Sequence, residues 1–234
     1  FNDGNGSNSG HVRVYKWDGS SWNQLGSDLD GEAANDYYGW SISLSADGET
    51  IGIGTAYNDG NGGGSGHVRI FNWDGSSWSQ VGSDIDGENS SDRSGNSISI
   101  SEDGNTIAIG AENNDGGGDN SGHVRVYSWD GSSWNQVGSD IDGANANEKL
   151  SNVSLSSDGT RVAIGSANTD EGRLDVKGFV RVYNLNNDSW TQLGSDIQGE
   201  QNGDEFGYSL SIADDGNTLA IGSPYGDDNG TSSG

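Results

Sequence analysis

Gly122-His-Val-Arg-Val-Tyr-Ser-Trp-Asp-Gly-Ser-Ser-Trp134 is one statement of a phrase that the chain repeats four times. Its first part recurs as Gly10-His-Val-Arg-Val-Tyr15, Gly66-His-Val-Arg-Ile-Phe71 and Gly178-Phe-Val-Arg-Val-Tyr183, so the four glycines stand 56 residues apart. Its second part, Trp-Asp-Gly-Ser-Ser-Trp, occupies 17–22, 73–78 and 129–134 and decays to Leu185-Asn-Asn-Asp-Ser-Trp190. A fixed period of this size marks repeat architectures, in which each unit buries its apolar face on the next. The third copy drops one residue before Ser151 and regains one within 168–177, so the unit keeps its length and reads as a spatial module.

Each unit reads as four short strands. Ser97-Ile-Ser-Ile-Ser101 and Thr106-Ile-Ala-Ile-Gly110 alternate with period two, and Glu102-Asp-Gly-Asn105 between them supplies a hairpin turn. His123–Trp129 and Trp134–Val137 give the third and fourth strands, turned at Asp130-Gly-Ser-Ser133. No segment carries apolar residues at helical spacing over helical length. Repeated hairpins must cover their sheet edges, and radial repetition into a β-propeller does so for four-stranded units of this size. The expectation is an all-β propeller of four four-stranded blades in one domain, 1–234, with units starting near Gly10, Gly66, Gly122 and Gly178. The chain starts with a third and fourth strand and ends with a first and second, so strands within 10–25 and 208–222 are expected to close the last blade together. The rival arrangement is part of a larger propeller or an open array. Phe1–Gly10 and Tyr225–Gly234 are the same loop present twice, and the chain has no methionine, so an excerpt of something longer is expected.

Leu, Ile, Val and Phe are only 40 of 234 residues, a share usually read as disorder when net charge is high. Eight Trp, eight Tyr and the strict alternation overrule that reading. Ten Lys+Arg against 36 Asp+Glu leave a net charge of −26, which excludes a phosphate-binding face for DNA or RNA. With no cysteine there is neither a disulfide nor a thiolate site, and no apolar run is long enough for membrane insertion.

Phe206-Gly-Tyr-Ser-Leu-Ser-Ile-Ala-Asp-Asp-Gly-Asn-Thr-Leu-Ala-Ile-Gly-Ser-Pro224 resembles the FG-GAP repeat of integrin-α-type propellers, in which a Phe-Gly pair opens the unit and Gly-Ala-Pro closes it. Looser copies are Tyr38-Gly39 with Gly54-Thr-Ala56, Ser94-Gly95 with Gly110-Ala-Glu112, and Lys149-Leu150 with Gly165-Ser-Ala167. The resemblance implies an extracellular or cell-surface propeller used for adhesion or assembly, without catalysis. Calcium-binding units of that family carry a long acidic loop between their first two strands. Here it has shrunk to Ala46–Glu49, Glu102–Asn105, Ser157–Thr160 and Asp214–Asn217, too few oxygens for the six to eight that calcium takes.

Other acidic positions recur as Asp28/Asp30, Asp84/Asp86 and Asp140/Asp142, with Asp196/Gln198 in the fourth unit. Residues i and i+2 of an extended segment point the same way, so calcium bridging these pairs, with Glu32, Glu88 and Glu200 nearby, is one expectation. The competing one is a clamp between each pair and the recurring Arg13, Arg69, Arg125 or Arg181. Loops carrying Asn58, Asp59, Asn61, Asn114, Asp115, Asp227 and Asp228 are candidate sites for calcium or sugar hydroxyls, although turns require the same residue types. His11, His67 and His123 share a position that Phe179 takes in the fourth unit, which reads as packing. Sequons at Asn5, Asn89, Asn187 and Asn229 permit glycosylation, but their number is what chance gives. The resulting expectation is a secreted, non-enzymatic structural or adhesive module of a surface or extracellular filament, requiring no cofactor, with other subunits or repeats of its assembly as partners. A lectin-like, glycan-binding propeller is the alternative.

Overall fold

The computed structural model describes residues 5–166 and 177–226, and among them are 21 strands and no helix. The first unit holds β1 (His11–Val12), β2 (Tyr15–Trp17), β3 (Trp22–Gln24) and β4 (Leu29–Asp30). Then come β5 (Ser41–Leu44), β6 (Thr50–Thr55), β7 (His67–Trp73), β8 (Trp78–Gln80) and β9 (Ile85–Asp86). The next blade is β10 (Ser94–Ile100), β11 (Thr106–Ala111), β12 (His123–Trp129), β13 (Trp134–Gln136) and β14 (Ile141–Asp142). The third is β15 (Asn152–Leu155), β16 (Arg161–Ser166), β17 (Phe179–Asn186), β18 (Ser189–Gln192) and β19 (Ile197–Gln198), followed by β20 (Ser209–Ile212) and β21 (Leu219–Gly222).

Three complete antiparallel blades result, β5-β6-β7-β8, β10-β11-β12-β13 and β15-β16-β17-β18. The four-strand unit expected from the repeat is therefore present, with one addition. A short fifth strand (β9, β14 or β19) pairs back on the start of the blade's third strand, setting His67 opposite Asp86 and His123 opposite Asp142. Strands β1–β4, β2–β3 and β20–β21 stand as separate two-stranded sheets. Among the described residues no strand pairing joins β20–β21 to the first unit.

The core lies between blades. Val68, Ile70 and Ile85 of one blade pack with Ile98, Ile100, Ile107 and Ile109 of the next, and Val124, Val126 and Ile141 pack with Leu150, Val153, Leu155, Val162 and Ile164. Each such side chain contributes roughly 1.5–3 kcal/mol when fully buried. The innermost strands β5, β10, β15 and β20 pack in succession.

Three hydrogen-bond ladders run across these junctions. In the first, a serine of one inner strand accepts a backbone N–H of the next: Ser43 from Ile100 (3.0 Å), Ser99 from Leu155 (2.9 Å), Ser154 from Ile212 (3.0 Å). These bonds occupy N–H groups that an edge strand would otherwise leave bare. In the second, an outer-strand tryptophan donates its indole N–H to the preceding blade: Trp78 to the Leu25 carbonyl, Trp134 to Val81, Trp190 to Val137. The third links hairpin turns, with Ala46 N–H donating to Glu102, Glu102 to Ser157 and Ser157 to Asp214. This explains the alternation of serine with Ile and Leu: one face packs, the other supplies hydroxyls.

Candidate metal centre at the blade junctions

The recurring arginine follows the start of each third strand by two residues, and the short fifth strand brings the acidic pair to it. Arg13 binds Asp28 through both nitrogens at 2.7–3.0 Å, Arg69 binds Asp84 at 2.8–3.0 Å, and Arg181 meets Asp196 at 3.1 Å. The clamp read from the sequence is thus present in three units. Arg13 beside Asp28 holds that carboxyl down at about 2.

The third complete copy of the phrase differs. Arg125 keeps its place in the sequence but turns to the preceding blade, donating to the Asp86 carbonyl at 2.8 Å and reaching Glu88 at 3.5 Å. Its Nε is buried without a partner. Asp140 is left with a side-chain amide, Gln136 Nε2 at 2.5 Å, in place of a guanidinium.

His123 faces this altered cluster. Its Nδ1 is buried with no hydrogen-bond partner and lies 3.9 Å from Glu88 Oε2, 3.9 Å from Asp140 Oδ2 and 4.0 Å from Asp142 Oδ1. Burial, followed by the neighbouring Arg125 charge, pushes the imidazole down to about 4, so it is neutral at pH 7. Burial raises Asp142, and Asp140 and Glu88 raise it further. A neutral nitrogen and the carboxylates of Glu88 and Asp140 can hold a divalent metal ion, with Asp142 4.0 Å from the same nitrogen. The equivalent group Glu32, His67 and Asp84 has the same donor types, but there Arg69 pairs with both carboxylates and supplies the positive charge. In the fourth unit Phe179 replaces the histidine and lies under Arg181, 4.3 Å from its guanidinium carbon.

A groove of about 390 Å³ between this blade and the next includes Asp140 and Asp142 in its lining, and an equivalent groove of about 330 Å³ lies at the preceding junction beside Asp84 and Asp86. Asp140 and Asp142 line the larger groove on one side, Tyr183 and Trp190 on the other. Trp190 is fixed by its bond to Val137, so an aromatic wall stands opposite acidic oxygens.

Of the sequence candidates, Asp140 and Asp142 enter the centre, Asp84 and Asp28 are tied to arginines, and Asp30 and Asp86 sit opposite His11 and His67 in strand register. The described loop candidates make hydrogen bonds within their own loops or to the loops beside them. Asn58 donates to Asp36 and accepts from Gly60 N–H, Asp59 accepts from Gly64 N–H, and Asn61 donates to the Gly87 carbonyl. Asn114 donates to Asp92, and Asp115 accepts from Asn120 N–H. Among the sequon residues Asn5 donates to the Gly31 carbonyl, Asn89 to Asp92, and Asn187 is exposed in a left-handed turn. Asp227, Asp228 and Asn229 lie outside the described residues, as does nearly all of 168–177. The histidines read as packing positions are the ones the sequence underrated. Glu88 and His123 are 35 residues apart and meet only because consecutive blades touch there.

The FG-GAP repeat profile matches residues 84–127 and 198–234. The chain is a β-propeller with FG-GAP-type repeats. No curated protein matches its sequence. In fold it is similar to a candidate 6-phosphogluconolactonase from Bacteroides uniformis, with 12% identity over 82% of this chain and 50% of that one, TM-score 0.56. A second, from Bacteroides fragilis, shares 12% identity over 74% of this chain and 42% of that one, TM-score 0.50. Hydrazine synthase of Kuenenia stuttgartiensis shares 12% over 92% and 66%, TM-score 0.56. The chain spans about half the length of the two Bacteroides structures.

These comparisons correct the expectation of a non-enzymatic structural or adhesive module, and with it the exclusion of catalysis: similar propellers bear the names of enzymes. The physical reason lies in how the repeat was read. In the sequence, the absence of catalysis is only what the resemblance to adhesive propellers implies. At the third copy it is a side-chain direction, that of Arg125, that breaks the symmetry.

Proposed function

We propose that this propeller is a metal-dependent hydrolase whose centre is Glu88, His123, Asp140 and Asp142, acting on a cyclic ester of a polyhydroxy acid. The carrying observation is the buried His123 Nδ1, unpartnered and 3.9–4.0 Å from three carboxylates. Donors that far apart correspond to bonds of about 2 Å on either side of one ion. Imidazole among the donors favours zinc or manganese over calcium. A bound ion would polarise a carbonyl and acidify a water beside it. Asp140 and Asp142 would orient hydroxyls in the groove, and Tyr183 and Trp190 would cover the ring's apolar face. The Bacteroides neighbours named for lactone hydrolysis support the reaction class. The −26 charge argues for an unphosphorylated lactone, because a phosphate dianion is repelled from such a surface.

The test is calorimetric titration of EDTA-treated protein with zinc and manganese, beside a pH-stat assay of sugar-acid lactone hydrolysis. One bound ion and metal-stimulated turnover are expected, both lost in His123→Phe, a substitution the fourth unit already carries as Phe179. No heat of binding overturns the centre, and binding without turnover overturns the reaction.

A further inference from the structure

We infer that Ser94 is the positioning residue of the candidate metal centre: it leaves the room that a large side chain takes at the other junctions, so Arg125 turns away from Asp140 and frees that carboxylate for an ion. The inference rests on the proposed metal centre for its consequence and on packing alone for its cause. Tyr38, Ser94, Leu150 and Phe206 hold one position in four successive units. Each follows a residue in the left-handed region, Tyr37, Arg93, Lys149 or Glu205, with φ between +51° and +58°. Each also lies over the glycine that precedes a third strand. A Cβ on Gly10, Gly66, Gly122 or Gly178 would fall 2.1–2.5 Å from the main chain of Tyr38, Ser94, Leu150 or Phe206. The four side chains therefore start from equivalent backbone.

Tyr38, Leu150 and Phe206 join the apolar clusters of their own junctions. Ser94 adds no apolar group to the cluster it borders, and its Oγ is buried without a hydrogen-bond partner. The rings stand against one particular peptide. A Cβ on Gly31 would lie 2.8 Å from the Tyr38 Cβ, and one on Gly199 would lie 2.7 Å from the Phe206 Cβ. Beside Ser94 the equivalent peptide is Asp86–Gly87, and there it is Arg125 that arrives, its Nη2 donating to the Asp86 carbonyl at 2.8 Å. A guanidinium thus takes at this junction the place that a ring takes at two others.

Burial agrees with this exchange. The Arg125 side chain is 7% exposed, against 13% for Arg69 and 12% for Arg181. Burial pushes the Tyr38 phenol up, and the charges acting on it are those of Arg69, Asp84, Glu32 and Asp30, so its ring borders the ion-paired cluster of its own junction. With that ring in place Arg69 stays with Asp84, as Arg181 stays with Asp196 beside Leu150. With serine in place Arg125 enters, Asp140 keeps only the Gln136 amide, and the donor atoms of Glu88, His123 and Asp140 gather within 4.8 Å of one another. One small residue converts an ion-pair clamp into a site with oxygen and nitrogen donors to spare.

Double-mutant cycles in urea, run in EDTA, test the cause. Arg125→Gln and Asp140→Asn should be uncoupled in the parent. In Ser94→Tyr they should be coupled roughly tenfold in the folding constant, as neighbours in one ion pair are. Ser94→Leu, which copies Leu150, serves as the second background should the phenol prevent folding. Calorimetry with zinc tests the consequence. Ser94→Ala keeps the room and loses only the hydroxyl, so it should bind zinc like the parent, whereas Ser94→Tyr and Ser94→Leu should bind roughly tenfold or more weakly. An uncoupled pair in the enlarged variants, zinc affinity unchanged in them, or zinc affinity lost in Ser94→Ala each overturns the inference. A parent that binds no zinc overturns the metal centre alone, because the cycles contain no metal and still report where Arg125 points.

Discussion

Trp134 donates its indole N–H to the carbonyl oxygen of Val81 at 2.9 Å, 53 residues back in the chain. Trp78 and Trp190 make the same bond to Leu25 and Val137 at the same separation. The conformation of one blade's outer edge is thereby fixed by the ring of the next, and the Trp-Asp-Gly-Ser-Ser-Trp phrase acquires a reason for its second tryptophan. Trp134→Phe keeps the ring and removes the donor. It should cost about 1 kcal/mol, the net worth of one such bond, read as a shift of the urea midpoint at constant slope.

Ser99→Ala touches the inner ladder instead. It leaves the Leu155 N–H without its acceptor between two packed strands. A loss of about 1–3 kcal/mol is expected, the range for an orphaned buried donor. Hydrogen exchange at Leu155 should accelerate more than at Ile107 in the same variant.

Backbone approach gives a third test. A Cβ on Gly110 would lie 1.9 Å from the Ser151 carbonyl oxygen, main chain of the next blade that no rotamer can move. Gly110→Ala should lower stability by about 3 kcal/mol or more, in the range of steric core lesions. Gly131→Ala meets nothing within 4 Å and carries only its φ of +98°, so about 1–2 kcal/mol is expected there. Equal effects from the two variants would contradict a tight junction.

Acid should act through the turn aspartates. In Asp74-Gly-Ser-Ser77 the Ser76 hydroxyl, then the N–H groups of Ser77 and Ser76, hold the Asp74 carboxyl down at about 2. Asp18 and Asp130 are lowered in the same way in their own copies. A carboxyl depressed in the folded state stabilises fully above its unfolded value of about 3.8 and ceases to do so as pH falls through the folded value. Stability should therefore drop between about pH 4 and pH 2. The Asp18→Asn, Asp74→Asn, Asp130→Asn triple variant should show a flatter fall in that window by urea titration.

Metal should stabilise as well as activate. A ligand at one hundred times its Kd adds about 2.7 kcal/mol to the folded state. Manganese or zinc at that excess should raise the parent's melting temperature and leave His123→Phe unmoved. His67→Phe should respond like the parent, because Arg69 already serves Glu32 and Asp84.

Much of this was legible before any coordinates. Alternation in Ser97–Ser101, the turn at Glu102–Asn105 and the 56-residue spacing of Gly10, Gly66, Gly122 and Gly178 define strands, hairpins and unit. The Arg–Asp clamp was legible too, because Arg13 and Asp28 lie within one unit. The metal centre was hidden for two reasons. Glu88 and His123 belong to different blades, so their meeting depends on how neighbouring units dock. Arg125 has the same name and spacing as its three counterparts, and only its side-chain direction distinguishes it. The short strands β4, β9, β14 and β19 were missed because two residues carry no periodicity.

Each junction ladder keeps its own direction at every boundary, two donating back along the chain and one forward, and this regularity has a genetic corollary. Because the same three kinds of bond recur at each boundary, a recombination event that copies or deletes one 56-residue segment leaves these ladders at the flanking boundaries unchanged. Protein of this kind can therefore change its length by whole units without a new kind of contact at the boundaries.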